Sequence, residues 1–405
     1  MTREDFSAPT KRAIAMRSGY RCAHPECEGR TTIGPAVDAD KSENTGKASH
    51  IFSASDRGPR GQGNLSPEDL RSVANGLWLC AKHADQVDLN DGKDYPPPVL
   101  LGWKAVHEFK IAREHGAMLN PFGWIESLKI VDAPIFKPAQ QISFANANVL
   151  VGGNGVGKTT LCEWLSCLAG SAALSRWGAY SEDNARHSDI EVEFEIRAPT
   201  RQRAVLKVIS GKPSITLDGK AFPFSPIGYE VVTLLSAREV QASWEEGDHI
   251  YIAKRLNIDA IEAQALTDFI ASDQGVFLKG AAWEDVQDED AEKPVRQLRC
   301  NLMKNCTQLF RTLSGGETGA VLLDLAVARA TILSTYRPTL LIVETSAISM
   351  DPVFLSQFLE ALSSPLVPFQ SIFVTTELDE EAAWGGWQII RLDRQNSEGT
   401  EIALG

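Results

Sequence analysis

The sequence contains no apolar run of the roughly 20 residues that a membrane-spanning helix needs. Its first residues, MTREDFSAPTKR, lack the apolar core of a secretory signal. It has no sustained heptads, which excludes a long coiled coil. Cysteine is sparse and odd in number, 7 in 405 residues, so we expect reduced thiols rather than a disulfide framework. These absences predict a cytoplasmic protein with no membrane partner.

Positive charge is also scarce, since the net charge is -13 at pH 7. The deficit is uneven: residues 1–113 hold 16 Lys and Arg against 15 Asp and Glu, and the remainder holds 24 against 38. Nucleic-acid backbones attract positive charge, so we expect any DNA contact in the N-terminal part. The local basic clusters are either such contacts or a solvated face; they comprise Lys11, Arg12, Arg17, Arg21, Arg57 and Arg60.

The clearest motif is NVLVGGNGVGKTT at residues 148–160, where a short apolar strand runs into a glycine-rich turn and a helix. It matches the P-loop pattern GxxxxGK[ST], in which backbone N–H groups wrap phosphates, a lysine neutralises their charge and a hydroxyl binds magnesium. The helix N-terminus adds a favourable field for an anion. The motif predicts ATP and Mg²⁺ binding by Gly152, Asn154, Gly155, Gly157, Lys158, Thr159 and Thr160.

Two close pairs of metal-ligand residues frame the N-terminal part. Cys22 and Cys27 flank a turn, and Cys80 and His83 form a second pair about fifty residues later. Two such pairs, far apart in sequence, are typical of one tetrahedral Zn²⁺ site. His24 is an alternative ligand.

The segment between these pairs contains ASHIF, then GPRG and NGLWLC. It resembles the HNH endonuclease superfamily over roughly residues 11–108. The resemblance implies a ββα-metal fold in which one divalent cation, Mg²⁺ or Mn²⁺, binds the scissile phosphate. It also implies that His50 is the general base and that Asn75 positions the catalytic loop through its amide.

Two positions depart from that family pattern, which leaves the cation ligands open. Ser49 stands where many members have Asp or His, and Ala84 stands where the last family histidine belongs. We rank the replacements as Asp88, then His83, then Asp85. If His83 held the catalytic cation, zinc would need His24 instead.

LSGGE at residues 313–317, opening a helix through Ala330, resembles the signature of ABC-type ATPases. Combined with the P-loop, it implies a homodimer in which two heads sandwich two ATP molecules. The apolar strand TLLIVET at residues 339–345 resembles a Walker B strand, and a D-loop follows it. The implied nucleotide or magnesium contacts are Ser314, Gly315, Gly316, Glu317, Glu344 and Asp351.

The hydrolytic side chains of that family are replaced. Thr345 occupies the position of the glutamate that orients water, and Thr376 that of the switch histidine. Losing water-positioning groups costs on the order of a hundredfold in rate, so we expect slow hydrolysis. Glu377 and Glu317 are left as possible substitutes.

We therefore expect an α+β zinc-containing ββα-metal (HNH) domain at residues 1–118, followed by an α/β P-loop ABC-type ATPase domain at 119–405. Within the latter, strands near 190–235 would form an antiparallel layer, and about 238–310 a helical insertion. The combination resembles anti-phage defence systems of the Septu type. It implies an ATP-regulated nuclease acting on DNA, with a higher oligomer or a separate protein partner left open. The alternatives are a DNA repair or recombination nuclease and a catalytically silent nucleic-acid-binding module on an ATP-gated clamp.

Overall fold

The computed structural model describes residues 3–27, 29–33, 38, 40–63, 65–115, 124–170, 174, 177, 189–198, 200–221, 229–236, 246–270, 275–287, 294–303, 306–335, 337–379, 382–394 and 399–404. In these ranges the helices are α1 Ala8–Arg17, α2 Pro67–Leu70, α3 Ala81–Gln86, α4 Pro97–Glu114, α5 Lys158–Ser166, α6 Asp248–Leu256, α7 Ala260–Ile270, α8 Gly315–Ser334 and α9 Pro352–Ser363. None of these helices has the length and apolar character to cross a bilayer.

The strands in the same ranges are β1 Thr32–Ile33, β2 Glu43–Asn44, β3 Gly46–His50, β4 Gly76–Cys80, β5 Trp124–Asp132, β6 Gln140–Ser143, β7 Ala147–Val151, β8 Ile190–Ala198, β9 Thr200–Ile209, β10 Lys212–Leu217, β11 Lys220–Ala221, β12 Glu230–Leu234, β13 Leu278–Val286, β14 Val295–Leu302, β15 Cys306–Leu309, β16 Thr339–Glu344, β17 Gln370–Thr375, β18 Gln388–Arg394 and β19 Thr400–Leu404.

The N-terminal part is built on an antiparallel pair of strands followed by a helix. Strand β3 pairs with β4 so that His50 lies opposite Gly76, and α3 begins directly after β4. Helices α1 and α4 cover the pair: apolar side chains of α4 pack with Leu77 and Leu79 in one small core, and those of α1 pack with Trp78 in another. The order β3, β4, α3 is the ββα order expected from the sequence.

A buried ion network joins α1 to α4. Glu108, 5% exposed, accepts from Arg17 at 2.5 Å and from Lys104 at 2.6 Å. Arg21 pairs with Glu114 at 2.8 Å. The reading of Arg17 and Arg21 as nucleic-acid contacts is therefore weakened, because their guanidinium groups already bind carboxylates.

The C-terminal part contains a six-stranded sheet in the order β12-β16-β17-β7-β18-β19. All neighbouring pairs are parallel except β18 with β19. Strands β7, β16 and β17 are mostly apolar and are buried on both faces except at the last residue of β16 and of β17, as expected of central parallel strands. Helices α6 to α9 pack on one face, and α5 packs on the other.

A second six-stranded sheet, β11-β10-β9-β8-β5-β6, is antiparallel and shares a core with α5. The expected antiparallel layer is confirmed for β8, β9 and β10. The prediction was wrong for the strand near 229–235: β12 instead pairs in parallel with β16 at the edge of the other sheet. Its apolar run VVTLL is compatible with both positions, since sequence alone does not choose a strand's partner.

The expected helical insertion is only partly helical. Helices α6 and α7 lie in it, but β13, β14 and β15 then form a three-stranded antiparallel sheet. The alternation in VRQLRCNL, which buries every second side chain or more, is the strand signal that the acidic composition of the segment obscured.

Candidate functional sites

The structure brings the two N-terminal ligand pairs together. One ligand atom from each of Cys22, Cys27, Cys80 and His83 lies within 4.8 Å of the others. Nδ1 of His83 is 3.2 Å from the Cys80 sulfur and 3.4 Å from the Cys22 sulfur. Cys80 caps α3, which places His83 on the first turn of that helix. The ββα order therefore presents the second pair to the first.

The chemistry of this cluster fits Zn²⁺. Burial, together with the neighbouring thiols, raises the pKa of Cys22 to about 12, so its thiolate needs a cation for stability. Burial lowers the pKa of His83, which keeps the imidazole in the neutral form that binds metals. Three thiols and one imidazole are a common structural zinc set.

His24 lies outside this ligand set. Its ring stacks on that of His83 with centroids 4.0 Å apart, and it meets Trp103 edge-on at 4.7 Å. It therefore packs over a ligand instead of replacing one. With His83 among the thiols, the alternative that assigned His83 to a second cation loses its geometric basis.

His50 lies at the end of β3 with a fixed ring. Its Nε2 is 3.1 Å from the carbonyl oxygen of Glu4, and Phe6 stacks on it at 3.7 Å with an interplanar angle of 3°. A carbonyl only accepts, so Nε2 carries the proton and Nδ1 is the basic nitrogen. Burial lowers the pKa of His50, so the imidazole is neutral at physiological pH.

Asn75 holds the loop that leaves His50. Its side chain is buried, its Oδ1 accepts from Phe52 N at 2.8 Å, and its Nδ2 donates to Phe52 O at 2.9 Å and Leu70 O at 3.0 Å. Its own carbonyl accepts from Ile51 N at 2.9 Å. The side chain of Asn75 thus binds both the N–H and the carbonyl of Phe52, as the backbone of a neighbouring strand would.

His50 opens onto a cavity of about 290 Å³ that Arg3, Lys47, Ser49, Asp85 and Asp88 also line. Asp85 pairs with Lys47 at 2.7 Å. Asp88 pairs through Oδ1 with Arg60 at 2.6 Å, and within the described part of the chain its Oδ2 accepts no hydrogen bond. The carboxylate ranked first from the sequence therefore shares this cavity with the candidate base.

The cavity offers few ligands to a hard divalent cation such as Mg²⁺. Such a cation keeps several waters and uses one or two carboxylates plus substrate phosphate. Asp88 offers one oxygen of that kind, while Lys47 already neutralises Asp85. Ser49 and Ala84 supply no carboxylate or imidazole at the two positions where the HNH pattern has ligands.

Arg60 was assigned from the sequence to an exposed basic cluster, and that assignment was wrong. Its side chain is 3% exposed and makes four hydrogen bonds to other residues of the N-terminal part. A GPR triplet in a loop carries no periodic pattern from which burial could be predicted.

The phosphate-binding loop follows β7 as expected. Gly155 and Gly157 have φ of +78° and +98°, and a Cβ on Gly157 would lie 2.5 Å from the Phe136 ring. Only glycine fits there without displacing the ring. Lys158 Nζ donates to the carbonyls of Gly152 at 2.5 Å and Gly153 at 2.8 Å, so the loop curves around its ammonium group.

A cavity of about 400 Å³ lies over this loop. Asn154, Gly155, Gly157, Lys158, Thr159 and Thr160 line one side of it. The C-terminal ends of β16 and β17 line the other with Glu344, Thr345, Thr375 and Thr376. Carboxyl ends of parallel strands are where such sheets bind ligands.

Ser236 lines the cavity over the P-loop and was not predicted from the sequence. Glu344 Oε2 accepts from its N–H at 2.8 Å and from its hydroxyl at 2.5 Å, and both residues line the cavity. Ser236 follows the end of β12, and a polar residue directly after an apolar strand was the available signal. Once β12 is placed beside β16, this contact follows.

The two substituted positions face the same cavity. Thr345 and Thr376 both line it, and neither carries a group that accepts a proton from water at neutral pH. Glu377 lines a neighbouring cavity of about 460 Å³ together with Thr345, Thr376, Ser349 and Met350. Of the two proposed substitutes, Glu377 is therefore the one near this site.

Glu317 is held elsewhere. Ser314 caps α8, its hydroxyl accepting from Glu317 N at 3.3 Å, while the Glu317 carboxylate accepts from Ser314 N at 2.8 Å. This reciprocal capping box orders the helix start that presents Gly315 and Gly316. The signature segment thus has the exposed N-terminal geometry of an anion site.

The predicted D-loop, Ser349 to Asp351, and the residue before it lie against α8. A Cβ on Gly319 would lie 1.8 Å from the carbonyl oxygen of Ile348, so α8 and this loop are in close contact. Asp351 caps α9 by accepting from Val353 N at 2.9 Å. Asp351 therefore has a structural contact in addition to its expected role at the nucleotide.

No protein family and no curated protein matches the chain in sequence. Solved structures with a similar fold include an SMC head bound to the C-winged helix domain of ScpA, at 15% identity over 70% of this chain and 97% of that one, with a TM-score of 0.48. The SMC head domain from Thermotoga maritima is similar at 16% identity, 69% and 98% coverage and a TM-score of 0.44. RecF bound to ATP is similar at 11% identity, 71% and 100% coverage and a TM-score of 0.42.

Proposed function

We propose that this chain is a zinc-stabilised HNH-type endonuclease module joined to an ATP-binding, ABC-type head, and that it hydrolyses phosphodiester bonds in DNA. The observation that carries the nuclease half is the arrangement of His50 and Asn75. The first lines the cavity with its ring held through Nε2, and the second clamps the loop that follows it.

In this reading, His50 Nδ1 takes a proton from the water that attacks phosphorus. The bond from phosphorus to the leaving oxygen breaks as the bond to the water oxygen forms, and the leaving oxygen takes a proton from solvent water. Asp88 would hold a Mg²⁺ or Mn²⁺ ion, and the chemistry that such an ion supplies is neutralisation of charge on the phosphate. Arg3 and Lys47 line the same cavity and suit an anionic substrate.

The ATP half rests on three parts of one chain. The features that support nucleotide binding are the cavity over the P-loop, which Glu344 also lines, and the capped start of the signature helix. Residues 313–317 are not among those that line the P-loop cavity of their own chain, which suits a homodimer that encloses two ATP molecules, and DNA is the partner that we propose for this dimer. With threonine at 345 and 376, we propose that ATP acts mainly as a clamp and switch.

The biological role that we propose is prokaryotic defence against phage, supported by the combination of an HNH-type module with an ABC-type head. DNA repair or recombination is the alternative role. Both use the same chemistry, so phage challenge of cells carrying the wild-type or His50→Ala gene separates them. Protection that depends on His50 supports defence, and sensitivity to DNA damage without phage protection supports repair.

A non-catalytic function has one observation in its favour. Asp85 and Asp88 are both neutralised by cationic side chains, which leaves few ligands for a cation. In that case the N-terminal part would be a zinc-stabilised nucleic-acid-binding module on an ATP-gated clamp.

The deciding experiment is nicking of a supercoiled plasmid by the purified full chain, with Mg²⁺ or Mn²⁺ and with ATP or ADP. His50→Ala should abolish nicking and leave DNA binding, measured by fluorescence anisotropy, unchanged. His115→Ala is the matched control, because His115 is exposed and lies outside the cavity. A wild-type protein that binds DNA and never cuts it under these conditions contradicts the nuclease proposal.

A further inference from the structure

We infer that Arg60 is a positioning residue of the His50 cavity: one buried guanidinium fixes both the backbone that carries the base and the carboxylate that faces it. This inference rests on the proposed nuclease function and deepens it. Arg60 is not offered as a catalytic residue, because its contacts are to the protein.

The contacts of Arg60 reach both walls of the cavity. Towards the base, Nη2 donates to the carbonyl of His50 at 3.0 Å and Nε to that of Ile51 at 2.8 Å. Towards α3, Nη1 donates to the carbonyl of Val87 at 2.6 Å and Nη2 to Asp88 Oδ1 at 2.6 Å. The planar guanidinium of Arg60 thus links the end of β3 to the residues after α3 and fixes the distance between them.

The backbone is shaped around this side chain. Arg60 has a φ of +66°, a left-handed conformation that residues with a Cβ seldom adopt, and its N–H donates to Asp91 O at 3.1 Å. Gly92 has a φ of +71°, and a Cβ there would lie 2.3 Å from Arg60 Nη1. The left-handed backbone of Arg60 and the absence of a Cβ at Gly92 both allow the Arg60 guanidinium to occupy this position.

Arginine is required by the shape of the acceptor set. Three carbonyl oxygens and a carboxylate surround the group, and a guanidinium offers five N–H donors in a fixed plane. A lysine ammonium has three donors at one point and reaches only part of this set. The exposure of 3% leaves little room for water to complete it.

The consequence for chemistry is a fixed Asp88. Arg60 binds Oδ1 of Asp88, so Oδ2 is the carboxylate oxygen that would be available to a cation. The same guanidinium holds the carbonyl of His50, so the orientation of the base and of the carboxylate change together. Misplacement of reacting groups by about 1 Å costs on the order of a hundredfold in rate.

The test compares Arg60→Lys and Arg60→Ala with the same changes at Arg57, which is exposed in the same loop. We expect plasmid nicking to fall about a hundredfold in both Arg60 variants and less than threefold in the Arg57 variants. Millimolar guanidinium should restore part of the activity of Arg60→Ala, whereas urea, which is neutral and similar in shape, should not. Zinc content reports whether the module remains folded.

A second readout does not depend on cleavage. Mn²⁺ binding, followed by electron paramagnetic resonance in the full chain, should weaken several-fold in Arg60→Lys, because Asp88 loses its fixed orientation. Arg57→Lys should bind Mn²⁺ as the wild type does. This measurement also applies if Arg60→Ala fails to fold.

The outcomes separate this inference from the function on which it rests. If the wild type cuts DNA while Arg60→Lys keeps the wild-type rate and Mn²⁺ affinity, the inference is overturned and the nuclease stands. Loss of activity that guanidinium does not restore, with a lowered zinc content, also overturns it and makes Arg60 a stability residue. If the wild type never cuts, the proposed function fails, and unchanged Mn²⁺ affinity in Arg60→Lys then overturns the inference as well.

Discussion

Replacing Asn75 by alanine tests how the His50 loop is held. The side chain is 4% exposed and makes three hydrogen bonds, of 2.8, 2.9 and 3.0 Å, to the backbone of Phe52 and Leu70. Alanine removes all three and supplies no replacement. One buried N–H and two buried carbonyls then lose the hydrogen bonds that Asn75 supplies.

The expected cost follows from those three groups. Losing a hydrogen bond to a buried polar group costs about 1–3 kcal/mol where nothing replaces it, so the loss of all three bonds amounts to at most about 3–9 kcal/mol. We expect a value near the low end, because Phe52 N and Phe52 O belong to a loop that can rotate toward water. Even about 3 kcal/mol is a large part of the stability of a small module.

Aspartate at position 75 sharpens the test. It keeps the oxygen that accepts from Phe52 N, but it turns a second oxygen toward the carbonyls of Phe52 and Leu70. The carboxylate would be buried against two acceptors, which favours its protonated form. We therefore expect Asn75→Asp to be most destabilising above neutral pH and to recover as the pH falls toward 5.

Hydrogen exchange at the Phe52 amide, followed by mass spectrometry of peptides covering residues 46–63, reports the loop directly, and urea unfolding reports global stability. The control is Asn44→Ala, since Asn44 is exposed and its side chain accepts only from Gly46 N at 2.8 Å. We expect that variant to lose less than about 1 kcal/mol. Equal protection of Phe52 in wild type and Asn75→Ala would refute the clamp.

Three further predictions address the other groups. Cys80→Ser, or removal of zinc by a chelator, should unfold the β3–β4 pair, measured by circular dichroism and zinc content, because structural zinc sites couple binding to folding. Burial lowers the pKa of His50, so the nicking rate should stay constant as the pH falls to 6.5 and should decrease only at lower pH, where the imidazole becomes protonated. Because the unfolded chain binds that proton first, stability should also drop as the pH falls from 6.5 through the folded pKa. Thr345→Glu should raise ATP hydrolysis about a hundredfold, measured by phosphate release, with Lys158→Ala as the variant that does not bind ATP.

The sequence predicts the parts of this protein in which chemistry and spacing coincide. The P-loop needs glycine at fixed offsets between an apolar strand and a helix, and that pattern predicted the strand, the turn and the helix. The two zinc-ligand pairs predicted a cluster because one tetrahedral zinc takes its ligands from two such pairs that are far apart in sequence. Even the capping of α8 could have been predicted, since Ser314 and Glu317 have the spacing of a capping box.

The positions that the sequence did not predict depend on long-range partners. Arg60 and Arg57 have the same residue type in the same loop, and only the fold shows that one is buried and the other exposed. Likewise, β12 has an ordinary strand pattern, and its parallel pairing with β16 brings Ser236 to Glu344. Local pattern determines the type of element, whereas burial and partners are properties of the whole fold.

Helix α6 connects the insertion to two segments near the cavity over the P-loop. At its start, Asp248 is buried, bonds Arg311 at 2.8 Å and accepts from Leu298 N at 2.8 Å. At its end, Arg255 is 2% exposed and donates to the carbonyl of Ala347 at 2.7 Å. Arg311 lies just before the signature segment, and Ala347 lies just after Glu344. A rotation of α6 would therefore strain both contacts at once, because buried ionic groups are costly to leave unpaired. The start of α8, which we propose faces a second subunit, is thus connected through one short helix to the end of β16 that lines the cavity over the P-loop.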